Sequence, residues 1–321
     1  MTDIVTITIN PAIDVFVNTR HVEPTSKMRC SAPKRDPGGG GINVARVASR
    51  LGADVVAIYP AGGSLGRLLH KLLERENVKS LMTPAHRETR ENFTVFEEET
   101  GEQYRFVLPG SPLHPAEWQA CLDNLRDANP RPRFVVASGS IPPAVPQDFF
   151  VHVARIAKEH GARLILDTSG RGLKLALQEG ANIIKPNLLE LSDLVGAPLD
   201  TEERKIDACR EIIDAGQADT VALTLGADGA MLVTKDAIWR AAPLEVEVVS
   251  AVGAGDSFVG GLVASLADGQ PLARAFATAM AAAYAAVLRP GTELCHEDDV
   301  TDLIRRITIT RLDSDARAEA R

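Results

Sequence analysis

The chain has 321 residues, with 35 Lys and Arg against 43 Asp and Glu, for a formal net charge of −8. A hydrophobic share of 45% and a charged share of 24% belong to a globular protein and exclude disorder for the bulk of the chain. The acidic balance and the lack of any basic run exclude a general nucleic-acid binder, which needs a surface dense in Lys and Arg. A small phosphorylated metabolite stays open, since a few placed cations suffice for it.

Taken in order, Met1–Ile9 alternates apolar and polar residues and has no basic segment, so it predicts a strand over Val5–Ile9 and not a signal peptide. Asp14–Pro33 reads as extended. A helix follows over Gly41–Leu51, a strand over Val55–Tyr59 and a helix over Leu65–Glu76. Asn92–Glu98 and Glu102–Leu108 alternate on either side of Glu99-Thr100-Gly101, the pattern of a hairpin with a glycine turn. Short strands at Phe134–Ala137, Arg163–Asp167 and Ile183–Lys185 interleave with helices at Gln147–His160, Gly172–Gln178 and Leu188–Val195. Helix Glu202–Ala215 leads to strand Val221–Thr224, then to a second hairpin, Ala230–Thr234 with Ala237–Ala241. A strand-like stretch, Leu244–Val249, precedes helices at Ala254–Ala267, Leu272–Leu288 and Asp298–Ile307.

This alternation predicts an α/β fold, with a mostly parallel sheet covered by helices on both faces. The two β excursions, about 14–36 and 88–109, predict a small second sheet that covers a site or makes an interface. One domain over 1–309 with this lid, and a charged tail over 310–321, is the expected organisation. The longest uncharged apolar stretch, Ala275–Leu288, is shorter than the roughly 20 residues a bilayer span needs. Cys30, Cys121, Cys209 and Cys295 form no C-x-x-C pair, so they read as reduced thiols of a cytoplasmic protein.

Four motifs carry chemistry. In Pro37-Gly38-Gly39-Gly40-Gly41-Ile42-Asn43 the glycines let backbone approach a ligand and feed a helix N-terminus, which favours anions or hydroxyls. The spacing is neither that of a P-loop nor of a dinucleotide fingerprint. In Val252-Gly253-Ala254-Gly255-Asp256-Ser257 the backbone N–H groups of Gly253, Ala254 and Gly255 can converge on negative charge. Asp256 can there take a proton from a hydroxyl, or can simply cap the helix. In Lys185-Pro186-Asn187-Leu188-Leu189-Glu190 a lysine ends a strand, while Asn187 and Glu190 share a helix face. They suit hydrated magnesium, and equally a capping box. Thr224-Leu225-Gly226-Ala227-Asp228-Gly229 is either a hairpin turn or a nucleotide-lining loop. Lys27, Arg29, Arg90 and Arg105 lie in the β excursions, as solvated charges or as a clamp on a sugar phosphate.

These motifs in this order resemble the ribokinase-like, PfkB-type carbohydrate kinases, over about residues 1–308. The strings around Lys27–Arg46, Gly101–Val107 and Ser138–Pro143 are similar to the branch of minor bacterial 6-phosphofructokinases. The 1-phosphofructokinases and tagatose-6-phosphate kinases typically carry a lysine where this chain has Gly40. The resemblance implies a three-layer α/β/α sandwich with a β lid and a homodimer in which two lids pair. It also implies ATP and magnesium as requirements, and phosphorylation of fructose 6-phosphate at the 1-hydroxyl, a glycolytic step.

By the same resemblance, Asp256 is the base, Gly253, Ala254 and Gly255 form the anion hole, and Lys185 shares the developing charge. Asp14, Gly39, Gly40 and Asn43 would hold sugar hydroxyls; Lys27, Arg90, Arg105 and Ser140 would face the sugar phosphate. Lys185, Asn187, Thr224, Gly226 and Gly229 would line ATP, and Glu190 would order magnesium through water. Ser250, Val252, Ala286 and Gly291 match a potassium site of mainly backbone oxygens, although Arg289 and Glu293 depart from the residues expected around it. A kinase for tagatose 6-phosphate or fructose 1-phosphate, or a non-catalytic sugar-phosphate sensor, remains an alternative on the residues alone.

Overall fold

A computed structural model describes residues 3–312. The first third of the chain supplies β1 (Ile4–Ile7), β2 (Ala12–Thr19), β3 (Lys34–Gly38), α1 (Gly40–Arg50), β4 (Val55–Ala61), α2 (Gly63–Arg75), β5 (Lys79–Pro84), β6 (Arg90–Glu97) and β7 (Gln103–Val107). The middle adds α3 (Pro115–Arg126), β8 (Phe134–Ser138), α4 (Phe149–His160), β9 (Arg163–Asp167), α5 (Gly170–Ala176), β10 (Ala181–Ile184), α6 (Leu188–Val195) and α7 (Glu202–Asp214). The rest is β11 (Ala218–Thr224), a short turn of 3₁₀ helix, β12 (Ala230–Thr234), β13 (Ile238–Ala241), α8 (Ala254–Ala267), α9 (Leu272–Val287), α10 (Glu297–Leu303) and β14 (Ile309–Leu312).

The main sheet has ten strands in the order β14-β13-β12-β11-β10-β9-β8-β1-β4-β5. From β11 to β5 the pairings are parallel, and the far edge is closed by antiparallel β12, β13 and β14. Alternation along each strand feeds two apolar layers. Phe134 and Val136 of β8 join the layer under α1, α8 and α9, while Val135 and Ala137 join the layer under α3, α4 and α7. Helix α8 is buried from Ser257 to Leu266. Gly260 and Gly261 permit that depth, because a Cβ there would run into Val47 and Ala282 respectively. Phe258 and Phe276 meet edge to face at 6.1 Å and lock α8 to α9.

The second sheet is separate and four-stranded, in the order β3-β2-β6-β7, with β2 and β6 parallel. This is the expected lid, and the α/β sandwich is the expected fold. Among the described residues no helix is long and apolar enough to cross a membrane.

Several boundaries differ from the sequence expectation. Leu244–Val249 alternates like a strand but lies outside both sheets, because β14 already occupies the open edge of β13. The same pairing corrects the expected tail. Residues 310–312 belong to β14, and 313–321 lie outside the described residues. The last helix stops at Leu303, short of Ile307. Strand β5 and helix α3 go beyond the expectation. β5 is short and half polar, and α3 sits behind a run rich in proline and glycine and begins with a capping box from His114 and Glu117.

Candidate active site

Parallel sheets bind ligands at the carboxyl ends of their strands, where loops and helix N-termini converge. Here those ends face the lid, and a cavity of about 250 Å³ lies between them. Asp14, Asn92, Thr94, Arg90, Arg105 and Val107 contribute from the lid, with Ser138, Gly139 and Asp167 from the ends of β8 and β9. Gly39, Gly40 and Asn43 enter from the start of α1, and Val252, Gly253 and Asp256 from the start of α8.

Both helices start on glycine. Gly39 and Gly253 are the N-caps, with φ of 107° and 78°, a left-handed region that favours glycine. Neither helix has a side-chain cap. The first turn of α8 leaves the N–H groups of Ala254, Gly255 and Asp256 without intrahelical acceptors, which makes it a ready anion site. A Cβ on Gly255 would stand 3.5 Å from the Lys185 ammonium, so that charge sits over the same turn.

Asp256 accepts a hydrogen bond from the Asn43 amide at 2.8 Å. Burial, reinforced by the nearby Asp167 carboxylate, pushes its pKa up to about 7, against the pull of Asn43 and Lys185. Lys185 is buried and paired with Asp167 at 3.0 Å. Burial works against the ammonium, but Asp167, with Glu190 and Asp256 farther off, outweighs it and holds the Lys185 pKa above its usual value. Asp14 is likewise pushed up by burial, opposed by the Asn92 hydrogen bond and by Arg46, Arg90 and Arg105. A proton acceptor poised near neutrality, beside a cation and an open helix N-terminus, is the set needed for proton abstraction coupled to phosphoryl transfer.

The lid supplies the cations. Arg105 and Val107 pair with Thr94 and Asn92, so this face of the hairpin looks into the cavity. Arg90 donates to the carbonyls of Leu108 at 2.7 Å and Asn10 at 3.0 Å, while its Nε is buried without a partner. An orphaned buried donor on a guanidinium fits an anion.

Of the sequence candidates, Asp14, Gly39, Gly40, Asn43, Arg90, Arg105, Gly253 and Asp256 meet in this cavity. Ser140 stands just outside it and accepts from Asn10, the residue whose carbonyl holds Arg90. Lys27 is not brought in: it lies on the exposed loop between β2 and β3 and does not line the cavity. The nucleotide candidates form a strip along adjacent strand ends. Asn187 and Thr224 are bridged in parallel, the Thr224 N–H donates to Pro186, and Gly226 and Gly229 flank the turn from β11 to β12. That turn joins an antiparallel pair, so it is a hairpin turn.

Asn187 and Glu190 do form a capping box, at 2.9 and 2.8 Å. The box uses Oε2 of Glu190, so Oε1 is left to meet a metal-bound water, and the residues fit magnesium held in that way. The potassium candidates also converge in part. Ser250 Oγ lies 3.4 Å from the Gly291 carbonyl and accepts from the Val252 N–H. Ala286 is the next-to-last residue of α9, and the Ser250 N–H donates to the carbonyl of Val287, the last. Arg289 pairs with Asp299 at 3.0 Å and Glu293 with Lys34 at 2.7 Å.

Asp167, Asn92, Ser138 and Thr292 line the cavity without having stood among the candidates. Asp167 had one available signal, its position at the end of a predicted strand.

Residues 1–299 match the pfkB family carbohydrate kinase pattern. The chain belongs to that family. It is 46% identical over 297 residues to the ATP-dependent 6-phosphofructokinase isozyme 2 of Mycobacterium tuberculosis, covering 92% of this chain and 87% of that one. Its structure is similar to that of phosphofructokinase-2 from Escherichia coli in complex with fructose-6-phosphate, with a TM-score of 0.90 and 38% identity. That comparison covers 95% of this chain and 99% of the other. The same Escherichia coli enzyme in complex with potassium matches with a TM-score of 0.91, at the same identity and coverage.

Proposed function

We propose that this family member transfers the γ-phosphoryl group of ATP to the 1-hydroxyl of fructose 6-phosphate, giving fructose 1,6-bisphosphate and ADP in the cytoplasm. The observation that carries the reading is Asp256, held by Asn43 on the open N-terminus of α8 and facing lid cations across the cavity. The relatives support the choice of substrate.

In this reading the 1-hydroxyl attacks the γ-phosphorus in line as Asp256 takes its proton. Positioning and charge stabilisation do most of the work in such transfers. Asp14, Asn43 and the Gly39–Gly40 backbone orient the sugar, Arg90 and Arg105 hold its 6-phosphate, and Ser140 steadies the wall behind Arg90. The N–H groups at Gly253, Ala254 and Gly255, with the Lys185 ammonium, receive charge developing on the transferring group. Lys185, Asn187, Thr224, Gly226 and Gly229 line the ATP, and Glu190 would hold magnesium through water. Magnesium when bound neutralises phosphate charge. Ser250, Val252, Ala286 and Gly291 would hold potassium beside the anion hole.

One geometric fact favours this branch over kinases with a lysine in the glycine run. A Cβ on Gly40 would run into Ser138 Oγ and press on the Gly139 backbone, so this pocket is shaped around a bare glycine. ADP release measured across a panel of ketohexose phosphates tests the reading. Fructose 6-phosphate should give the highest kcat/KM, and a preference for tagatose 6-phosphate or fructose 1-phosphate, or no turnover, would overturn it.

The partner we propose is a second copy of the chain, joined lid to lid. Phe93 pairs with Phe106 across the hairpin, on the side opposite Thr94 and Arg105; they are 36% and 54% exposed, and Phe93 also borders the cavity. Covering such a face with its own twin follows the symmetry of most oligomers. Phe93→Asp with Phe106→Asp should yield a monomer in sedimentation, whereas a dimer of unchanged affinity would place the contact elsewhere.

A further inference from the structure

Arg46 is an arginine in the buried face of α1, with a side chain only 1% exposed. A charge at that depth is stable only with its partners satisfied. Nε donates to both Glu76 oxygens, at 3.1 and 3.0 Å, and Nη2 to Glu76 Oε1 at 2.7 Å. Arg50 closes the carboxylate from the other side, at 2.9 Å. Those bonds and ion pairs hold the Glu76 pKa below its usual value despite burial, which alone would raise it.

The remaining nitrogen does something a core ion pair does not require. Arg46 Nη1 donates to three separate parts of the site wall: the Pro37 carbonyl on lid strand β3 at 2.9 Å, Asn43 Oδ1 at 3.2 Å and the Thr292 carbonyl at 3.2 Å. A guanidinium has donors and no acceptor, so the Asn43 amide must turn its oxygen toward Arg46. Its NH₂ group is thereby aimed at Asp256, where it donates at 2.8 Å. With the amide turned the other way, two donors would confront each other and two acceptors would do the same.

We propose that Arg46, clamped by Glu76, is a positioning residue that sets the orientation of the Asn43 amide and so keeps its N–H on the Asp256 carboxylate. It acts through Asn43 and does not touch the reacting atoms. The other charged groups that act on Asp256 are Asp14 from β2, Asp167 from the end of β9 and Lys185 from the end of β10. Arg90 and Arg105 line the same cavity from the lid. Among the described residues none of these hydrogen-bonds the Asn43 amide, whose oxygen is held by Arg46.

The proposal rests on Asp256 as the base, and the test separates the two claims. Carboxyl ¹³C titration of the unliganded full chain, with Asp256→Asn as the assignment control, reads the Asp256 midpoint directly. Arg46→Lys, which has no fork to hold three acceptors, should move that midpoint upward by roughly half to one pH unit, since a donor to the charged form is lost. Glu76→Gln, which keeps the shape and loosens the clamp, should move it in the same direction by less, and it carries the test if Arg46→Lys does not fold. Arg46→Lys added to Asn43→Ala should shift the midpoint no further than Asn43→Ala alone. An unmoved midpoint in the first two variants, or an additive shift in the double variant, would overturn the proposal. A fully active Asp256→Asn would instead undo the base assignment and leave the titration result standing.

Discussion

Helices α6 and α8 both begin beside the strand ends, and they handle their free N–H groups in opposite ways. α6 closes its own N-terminus, with Asn187 and Glu190 exchanging bonds across its first turn. α8 begins on Gly253 with no side-chain cap, and its carboxylate bonds Asn43 on a different helix. The closed end is a stable rim, against which the proposed reading rests the nucleotide. The open end holds unspent donors and a carboxylate with a raised pKa, a costly arrangement in the absence of ligand. In the proposed reading, that cost marks where the chemistry is done.

The sharpest way to break this contrast is to remove the acceptor at the open end. Asp256→Asn should lower kcat by ~10²–10⁴-fold in steady-state assays, with sugar binding by calorimetry near that of wild type. The same substitution should reveal the energetic cost. The Asp256 pKa of about 7 lies above its usual value of 3.8, so the protonated carboxyl supports the fold fully below about pH 4 and that support is lost as pH rises to 7. Between pH 4 and pH 8 the unfolding free energy of Asp256→Asn relative to wild type should therefore improve by on the order of a few kcal/mol, read by urea titration. A difference independent of pH would contradict the raised value.

Next in size is the lid. Arg90→Ala should raise KM for the sugar phosphate by roughly ten- to a hundredfold while leaving KM for ATP nearly unchanged. The smallest effect belongs to the closed end. Asn187→Ala removes the cap of α6 and should cost about 1 kcal/mol in unfolding free energy, within the range for N-cap losses. A loss of nucleotide affinity with no loss of stability would mean that Asn187 serves the ligand alone.

Residues whose placement depends on local pattern are legible in the sequence. Gly39, Asn43, Gly253, Asp256 and Lys185 each sit where glycine or a strand end meets a helix start, and short-range spacing reports that. Contacts made across the sheet were not legible. The partner of Lys185, Asp167, comes from another strand, and the partner of Arg46, Glu76, lies thirty positions away, at the end of α2. Alternation misled at Leu244–Val249, because a strand needs a free edge as well as a pattern, and β14 had taken it. The motif around Lys27 matches a family, while its loop places it outside the cavity of its own chain, so string similarity alone does not say what it faces.

Asp256, its pKa pushed up to about 7, is the group proposed to accept the proton of the attacking hydroxyl. The pH dependence of kcat/KM for fructose 6-phosphate, which reports groups of the free enzyme, tests this when measured side by side for wild type and Asp256→Asn. Wild-type kcat/KM should fall about tenfold per pH unit below an inflection near 7, and the residual kcat/KM of the variant should lack the part of that limb that belongs to Asp256. An acid limb of the same position and slope in the variant would assign the titration to another group and contradict Asp256 as the base.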